Sequence, residues 1–262
     1  MNNKQVGTIE VKNQTESSAD LYFYGDIASE SWQSEWYPED KCPKDVLDLL
    51  DEVGDVGTLN IHINSGGGSV FGGIAIYNIL KSKKCEKVVY IDGIAASIAS
   101  VIACVGDRII MPENGMFMIH KPLTSYFWVS KNADDLRADI DALDACQRSI
   151  TSVYMQNVKD GVTEDTITEL INNETWLSGA DVTDYFDFEI EESNNAAACK
   201  SNYFEKYKHT PDNLEKSAEP QAKAYTDEEI RKIVDDAIEQ AKAQEKEEIK
   251  NRLLSGLSDF GK

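Results

Sequence analysis

"LNIHINSGGGSVFGGIAIYNIL", Leu59 to Leu80, runs from an apolar strand pattern through a cluster of glycines into helical spacing. Five of the ten residues from Asn64 to Gly73 are glycine. Glycine at that density disfavours both helix and strand, so the chain turns there for a reason. After the turn, Val70, Ile74, Tyr77 and Ile79/Leu80 line one face of a helix. A strand, a glycine-rich turn and a helix in succession are half of a parallel βαβ unit.

Working outward, the same alternation continues. "TIEVKN" and "ADLYFYG" read as strands and "PKDVLDLLDEV" as a helix ahead of the quoted stretch. Behind it come the strand "KVVYIDG", a buried helix "AASIASVIACVG", and two short strands about a Pro-Glu-Asn-Gly turn in "DRIIMPENGMFMIH". This order predicts an α/β core of parallel strands with helical crossovers. A long amphipathic helix follows from about Asn132 to Asn157, with Leu136, Ile140, Leu143, Ile150 and Tyr154 as its stripe.

After Glu192 the composition turns polar and poor in branched aliphatics, which predicts a linker over 193–225. A charged amphipathic helical tail is predicted for 226–262, opened by a capping box from Thr226 to Glu229. The core is accordingly expected over 1–192.

The 262 residues can bury one core of up to about 200 residues. A net charge of −21 argues against a nucleic-acid partner, whose phosphates would be repelled. The longest apolar candidate, Gly93 to Gly106, is too short and too rich in Ala and Ser to span a bilayer, so no membrane association is expected. The first residues lack the apolar run of a signal peptide. Five cysteines without paired spacing fit a reduced, cytoplasmic protein.

A glycine turn between strand and helix can cradle phosphate, but here no Gly-Lys-Ser/Thr follows and the G-x-G-x-x-G spacing is missed. A plain flexible turn is one remaining reading. The other is an oxyanion hole, in which backbone N–H groups converge on one developing charge. That reading needs a nucleophile. Ser97 supplies one at the next strand-to-helix turn, in "DGIAASIASV", although a small residue in a packed helix would look the same. Of the three histidines, His62 sits within a strand as a packing or hydrogen-bonding residue, and His209 falls in the polar segment as a solvated side chain. His120 ends the strand "GMFMIHKP" before Pro122 and is the natural general base.

"INSGGGSVFGGIAIYNIL", "DGIAASIASVIACVGDRIIMPENGMFMIHKP" and "ETWLSGADVTDYFDFEI" together resemble, in order and spacing, the ClpP family of serine peptidases. Within it they look closest to the head maturation (prohead) proteases of tailed phages. The resemblance covers about Gly7 to Glu192. It implies a ClpP/crotonase-like fold, Ser97 as nucleophile, His120 as base, and the N–H groups of Gly68 and Ile98 as oxyanion hole. It implies a handle role for the long helix, a homo-oligomeric ring, polypeptide substrates, and neither cofactor nor metal. Two positions depart from the family pattern. Glu174 stands where an aspartate is usual for the third triad member, with Asp165, Asp181 and Asp184 as fallbacks. Gly66 stands where proline is usual, which suggests a looser oxyanion turn.

The phage resemblance implies capsid, scaffold and portal proteins as partners, and self-processing between about Ser193 and Thr226. The alternatives are a ClpP-type housekeeping peptidase working with an ATPase, a crotonase-type acyl-CoA enzyme, and a non-enzymatic scaffold with a vestigial protease core.

Overall fold

The computed structural model describes residues 11–12, 17–29, 40–126, 128–192, 199, 201, 203–211 and 214. The chain divides into two units, Met1–Ser217 and Ala218–Lys262. The expected helical tail over 226–262 lies outside the described residues, as does most of the expected linker.

The elements follow the alternation in the sequence. They are β1 (Val11–Lys12), β2 (Ser18–Tyr24), α1 (Pro43–Val53), β3 (Thr58–Ser65), α2 (Val70–Ser82), β4 (Glu86–Ala96) and α3 (Ile98–Ala103). Next come β5 (Arg108–Pro112), β6 (Met116–Ile119), α4 (Ala133–Tyr154), α5 (Glu164–Asn172), β7 (Thr175–Ser178), α6 (Gly179–Val182) and β8 (Glu189–Glu191). The elements from α5 onward carry no assignment in the sequence reading. Among the described residues the strands form one sheet, ordered β1-β2-β3-β4-β5-β8, with β6 joined to β4 and β7 joined to β6. The pairs β2–β3, β3–β4, β4–β5, β4–β6 and β5–β8 are parallel. The expected α/β fold is therefore the observed one.

The topology turns on β4, which is longer than the sequence reading allows. Its first half pairs β5 over Val88–Tyr90, and its last residues, Ile94–Ala96, pair β6 instead. Between these halves the β3 register slips, from Ile63↔Ile91 to Ser65↔Ala95. Such an irregularity bends the strand and lets it change partner. Ala95 and Ala96 were expected in a helix, but the β6 ladder takes up their backbone groups and α3 begins only at Ile98.

The helices obey local rules. Asn132 Oδ1 accepts from the N–H groups of Asp134 (2.8 Å) and Asp135 (3.1 Å), capping α4. Within α4, Ile150 and Tyr154 are buried, whereas Leu136 and Ile140 are exposed. The main core gathers Leu21, Phe23, Ile61, Ile63, Ile76, Val101, Phe117 and Phe186, among others.

The segment after Glu192 differs from the expected linker. Phe204 and Tyr207 are buried in a second apolar cluster with Ile94, Ala96 and Met118. Ser201 Oγ donates to Asp26 Oδ1 at 2.5 Å in a buried hydrogen bond. Tyr203 and Leu214 from the same polar stretch pack partly buried against this cluster. Gly66 takes its meaning from this contact. A Cβ at position 66 would overlap the Ser201 side chain and press on Phe204. Its lack of a side chain makes room for the crossing segment, which corrects the looser-turn reading. Gly66→Ala is expected to cost about 1–3 kcal/mol through overpacking, read as a lowered urea midpoint. An unchanged midpoint would show that the segment is not packed against the turn.

Candidate active site

Ser97 and His120 lie at the ends of adjacent strands. In the parallel β4–β6 register, Ala96 pairs with Met118, and the Ser97 N–H donates to Met118 O at 2.9 Å. The chain therefore presents Ser97 just past β4 and His120 just past β6, on the same end of the sheet. Ser97 Oγ lies 2.7 Å from His120 Nε2. That is hydrogen-bond distance, and with Nε2 unprotonated the hydroxyl is the donor.

Ser97 is held in a conformation that L-residues rarely adopt, with φ 55° and ψ −127°, at the N-cap of α3. Its side chain caps no N–H of its own helix and is left for other partners. Such backbone strain costs about 1–3 kcal/mol and persists only where surrounding packing fixes it. Here Gly67 fits so closely that a Cβ on it would sit 2.7 Å from Ser97 Cβ.

The glycine turn runs alongside. Ile27 N–H donates to Gly67 O at 2.7 Å, and Ser69 N–H donates to Ile27 O at 2.7 Å. This bridge turns the Gly68 N–H to the other side, at φ 147°, and a Cβ on Gly68 would collide with the Ile27 backbone. Neither the Gly68 N–H nor the Ile98 N–H is taken by an acceptor among the described residues. Ile98 is the first residue of α3, where helix geometry supplies no acceptor.

Glu174 arrives by the antiparallel pairing of β6 with β7. Ile119 pairs with Thr175, so the residue before Thr175 lies across from His120. Glu174 also holds a positive φ of 50°. Its carboxylate makes no hydrogen bond to His120 Nδ1. Glu174 Oε1 instead accepts the backbone N–H of His209 at 2.6 Å. Its charge still reaches His120 and favours the protonated ring, while burial acts more strongly the other way and lowers the His120 pKa from 6.5. Among the described residues no other carboxylate acts on His120 in this way. Of the fallback acids, Asp181 caps α6 with Ser178, Asp165 lies in the first turn of α5, and Asp184 follows α6.

The other histidines stand apart. His62 stacks between Tyr22 and Tyr90 across three strands and meets Asp92 at 2.9 Å, a packing and hydrogen-bonding role as expected. The His209 side chain is largely exposed, and its backbone N–H carries the contact to Glu174.

Ser97 and His120 open onto a cleft of about 420 Å³, lined also by Gly68, Phe71, Leu123, Leu143, Tyr203 and Tyr207. Among the described residues no group of His, Cys, Asp and Glu is arranged to hold a metal ion, and no helix is long and apolar enough to cross a membrane. The contribution of Tyr203 and Tyr207 is not foreseen by the sequence reading. Their aromatic spacing in a polar segment is the only signal that marks them.

Residues 43–186 match the family model of Clp protease. The chain belongs to the Clp protease family. It is similar to an ATP-dependent Clp protease proteolytic subunit of Bdellovibrio bacteriovorus, 34% identical over 99 residues, 37% of this chain and 46% of that one. A subunit of the same description from Bigelowiella natans is 29% identical over 139 residues, 52% of this chain and 68% of its own. These matches span from about half to two thirds of the relatives' lengths. A ClpP1 N165D mutant from Listeria monocytogenes has a similar fold, with TM-score 0.52 and 22% identity over 68% of this chain and 93% of that one. Ser97, His120 and the Gly66–Gly68 turn all lie within the family-matched residues.

Proton NMR titration of His120 is expected to give a midpoint below pH 6.5, because burial disfavours the imidazolium. Glu174→Gln removes a charge that favours the imidazolium, so the midpoint moves lower still. A midpoint at or above pH 6.5 would contradict the buried placement of the ring.

Proposed function

We propose that this Clp protease family member is a serine endopeptidase in which Ser97, His120 and the Gly68 and Ile98 amides carry acyl transfer. The observation that supports it best is the 2.7 Å approach of Ser97 Oγ to His120 Nε2 at the mouth of the cleft. In this reading His120 takes the Ser97 proton as Oγ attacks a peptide carbonyl carbon. The carbonyl oxygen becomes an oxyanion between the N–H groups of Gly68 and Ile98, each such donor contributing roughly a hundredfold or more in rate. His120 then gives its proton to the departing amine, and water hydrolyses the acyl-enzyme by the same steps in reverse. Glu174 supports the imidazolium by its charge across the β6–β7 pair, while its Oε1 stays on the His209 N–H.

Ser97→Ala is expected to lower peptide turnover roughly a millionfold without changing the unfolding midpoint. A fluorophosphonate should label Ser97 in the wild-type chain and nothing in the variant. Retained turnover in the variant would sink this mechanism, and so would a wild-type chain that never labels.

Polypeptides are the proposed substrates and a homo-oligomeric ring the proposed assembly, formed through α4. Leu136 is 46% exposed and Ile140 58%, an apolar half-stripe that one solvated helix does not need. Ile140→Asp is expected to shift sedimentation from the ring toward smaller species. An unchanged distribution would place the contact elsewhere.

The finer reading is head maturation in a tailed phage, with scaffold, portal or coat proteins as substrates and the tail over 226–262, which its sequence pattern predicts to be helical, as the part that engages them. It rests on the sequence resemblance and on the extension past the family-matched region, which ends at 186. The relatives named above are proteolytic subunits of ATP-dependent Clp proteases, so an ATPase-assisted peptidase is the rival. Cytoplasmic action is proposed on the absence of disulfides among the five described cysteines.

A further inference from the structure

One buried side chain touches the Ser97 centre at three points and has no part in the steps above. Tyr207 Oη donates to Gly66 O at 2.5 Å. The Tyr207 ring meets the His120 ring edge-on, with centroids 5.0 Å apart. Its hydroxyl also lies beside that of Ser97, and a Cβ on Gly67 would come within 3.0 Å of it. Tyr207 is itself 8% exposed and packs on Trp176 from β7.

Each contact has a mechanical consequence. The Gly66 carbonyl belongs to the turn that aims the Gly68 N–H, so pinning it limits rotation of the peptide groups between them. The aromatic edge against His120 blocks the ring from swinging away from Ser97. The same segment sends the His209 N–H to Glu174, so a single crossing chain touches the oxyanion turn, the base and the acid.

We propose that Tyr207 is a positioning residue of the Ser97 centre, fixing the Gly66–Gly68 turn through its hydroxyl and the His120 ring through its edge. This rests on the acyl-transfer reading of Ser97 and His120. An inhibitory strap would part the reacting groups or fill the cleft. Here Ser97 and His120 are already 2.7 Å apart with the segment in place, and Ser97 still lines the open cleft.

The test compares the full wild-type chain with Tyr207→Phe and Tyr207→Ala on a fluorogenic peptide, alongside fluorophosphonate labelling and thermal unfolding. Tyr207→Phe keeps the ring and loses the Gly66 bond. Its kcat should fall about 10- to 100-fold with KM within about twofold, less than removal of an oxyanion donor outright. Tyr207→Ala should also move the acid limb of kcat/KM upward, because water reaches the ring. The groups facing that ring are Ser97 from the start of α3, Glu174 from before β7 and Tyr207 itself; the His209 ring lies 4.0 Å from Glu174 Oε1, and Lys206 and Asp139 also line the cleft. If Tyr207→Ala does not fold, the Phe variant decides alone. An unchanged kcat in Tyr207→Phe overturns the positioning role, and so does a rise in KM alone. Increased activity in either variant overturns it in favour of an inhibitory strap. A wild-type chain that neither labels nor cleaves overturns the acyl-transfer reading together with this one.

Discussion

The three-residue ladder between the end of β4 and β6 is the constraint on which the rest depends. Ile94–Ala96 pair with Met116–Met118, and the next residues on each strand are those that lead to Ser97 and His120. A strand that stayed on β5 to its end would leave β6, and His120 with it, without a place beside Ser97. The slip in the β3 register releases β4 from its first partner, and the buried alanines let the new neighbour approach. From that ladder follow the serine–histidine approach, the seat of β7 and the position of Glu174.

Electrostatics at the site are set by two opposing effects of unequal size. Burial favours the neutral His120 imidazole over the imidazolium, and the Glu174 charge partly offsets it. The carboxylate is anchored by a backbone N–H of the segment after the core. The His209 main-chain N–H holds the carboxylate beside His120, and the His209 ring itself lies within 4.0 Å of the same oxygen. Glutamate in place of aspartate is compatible with this arrangement, since its extra methylene lets it reach a donor outside the β6–β7 pair.

The crossing segment links stability to function. Asp26–Ser201, the Phe204 and Tyr207 cluster and the Tyr207–Gly66 bond tie the far end of this unit to the glycine turn. Its sequence is polar overall because one side faces solvent, while its anchors are widely spaced. An average over composition therefore hides the few residues that dock.

Local patterning in the sequence determined much of the fold. The spacing of apolar residues made α1, α2, α4 and the central strands legible, because burial of one helix face or alternate strand residues leaves a period in the chain. The glycine cluster, Ser97 and His120 were legible as candidate site residues, since each stands at an element boundary, and the fold brings them to one end of the sheet. The length of β4, its change of partner, the role of Gly66 and the docking of Tyr207 were decided by the tertiary structure. Each depends on a residue far away in sequence: β6 for Ala95 and Ala96, Ser201 for Gly66, His209 for Glu174. A pairwise contact across more than 20 residues leaves no period behind it, and only the folded chain brings its two halves together.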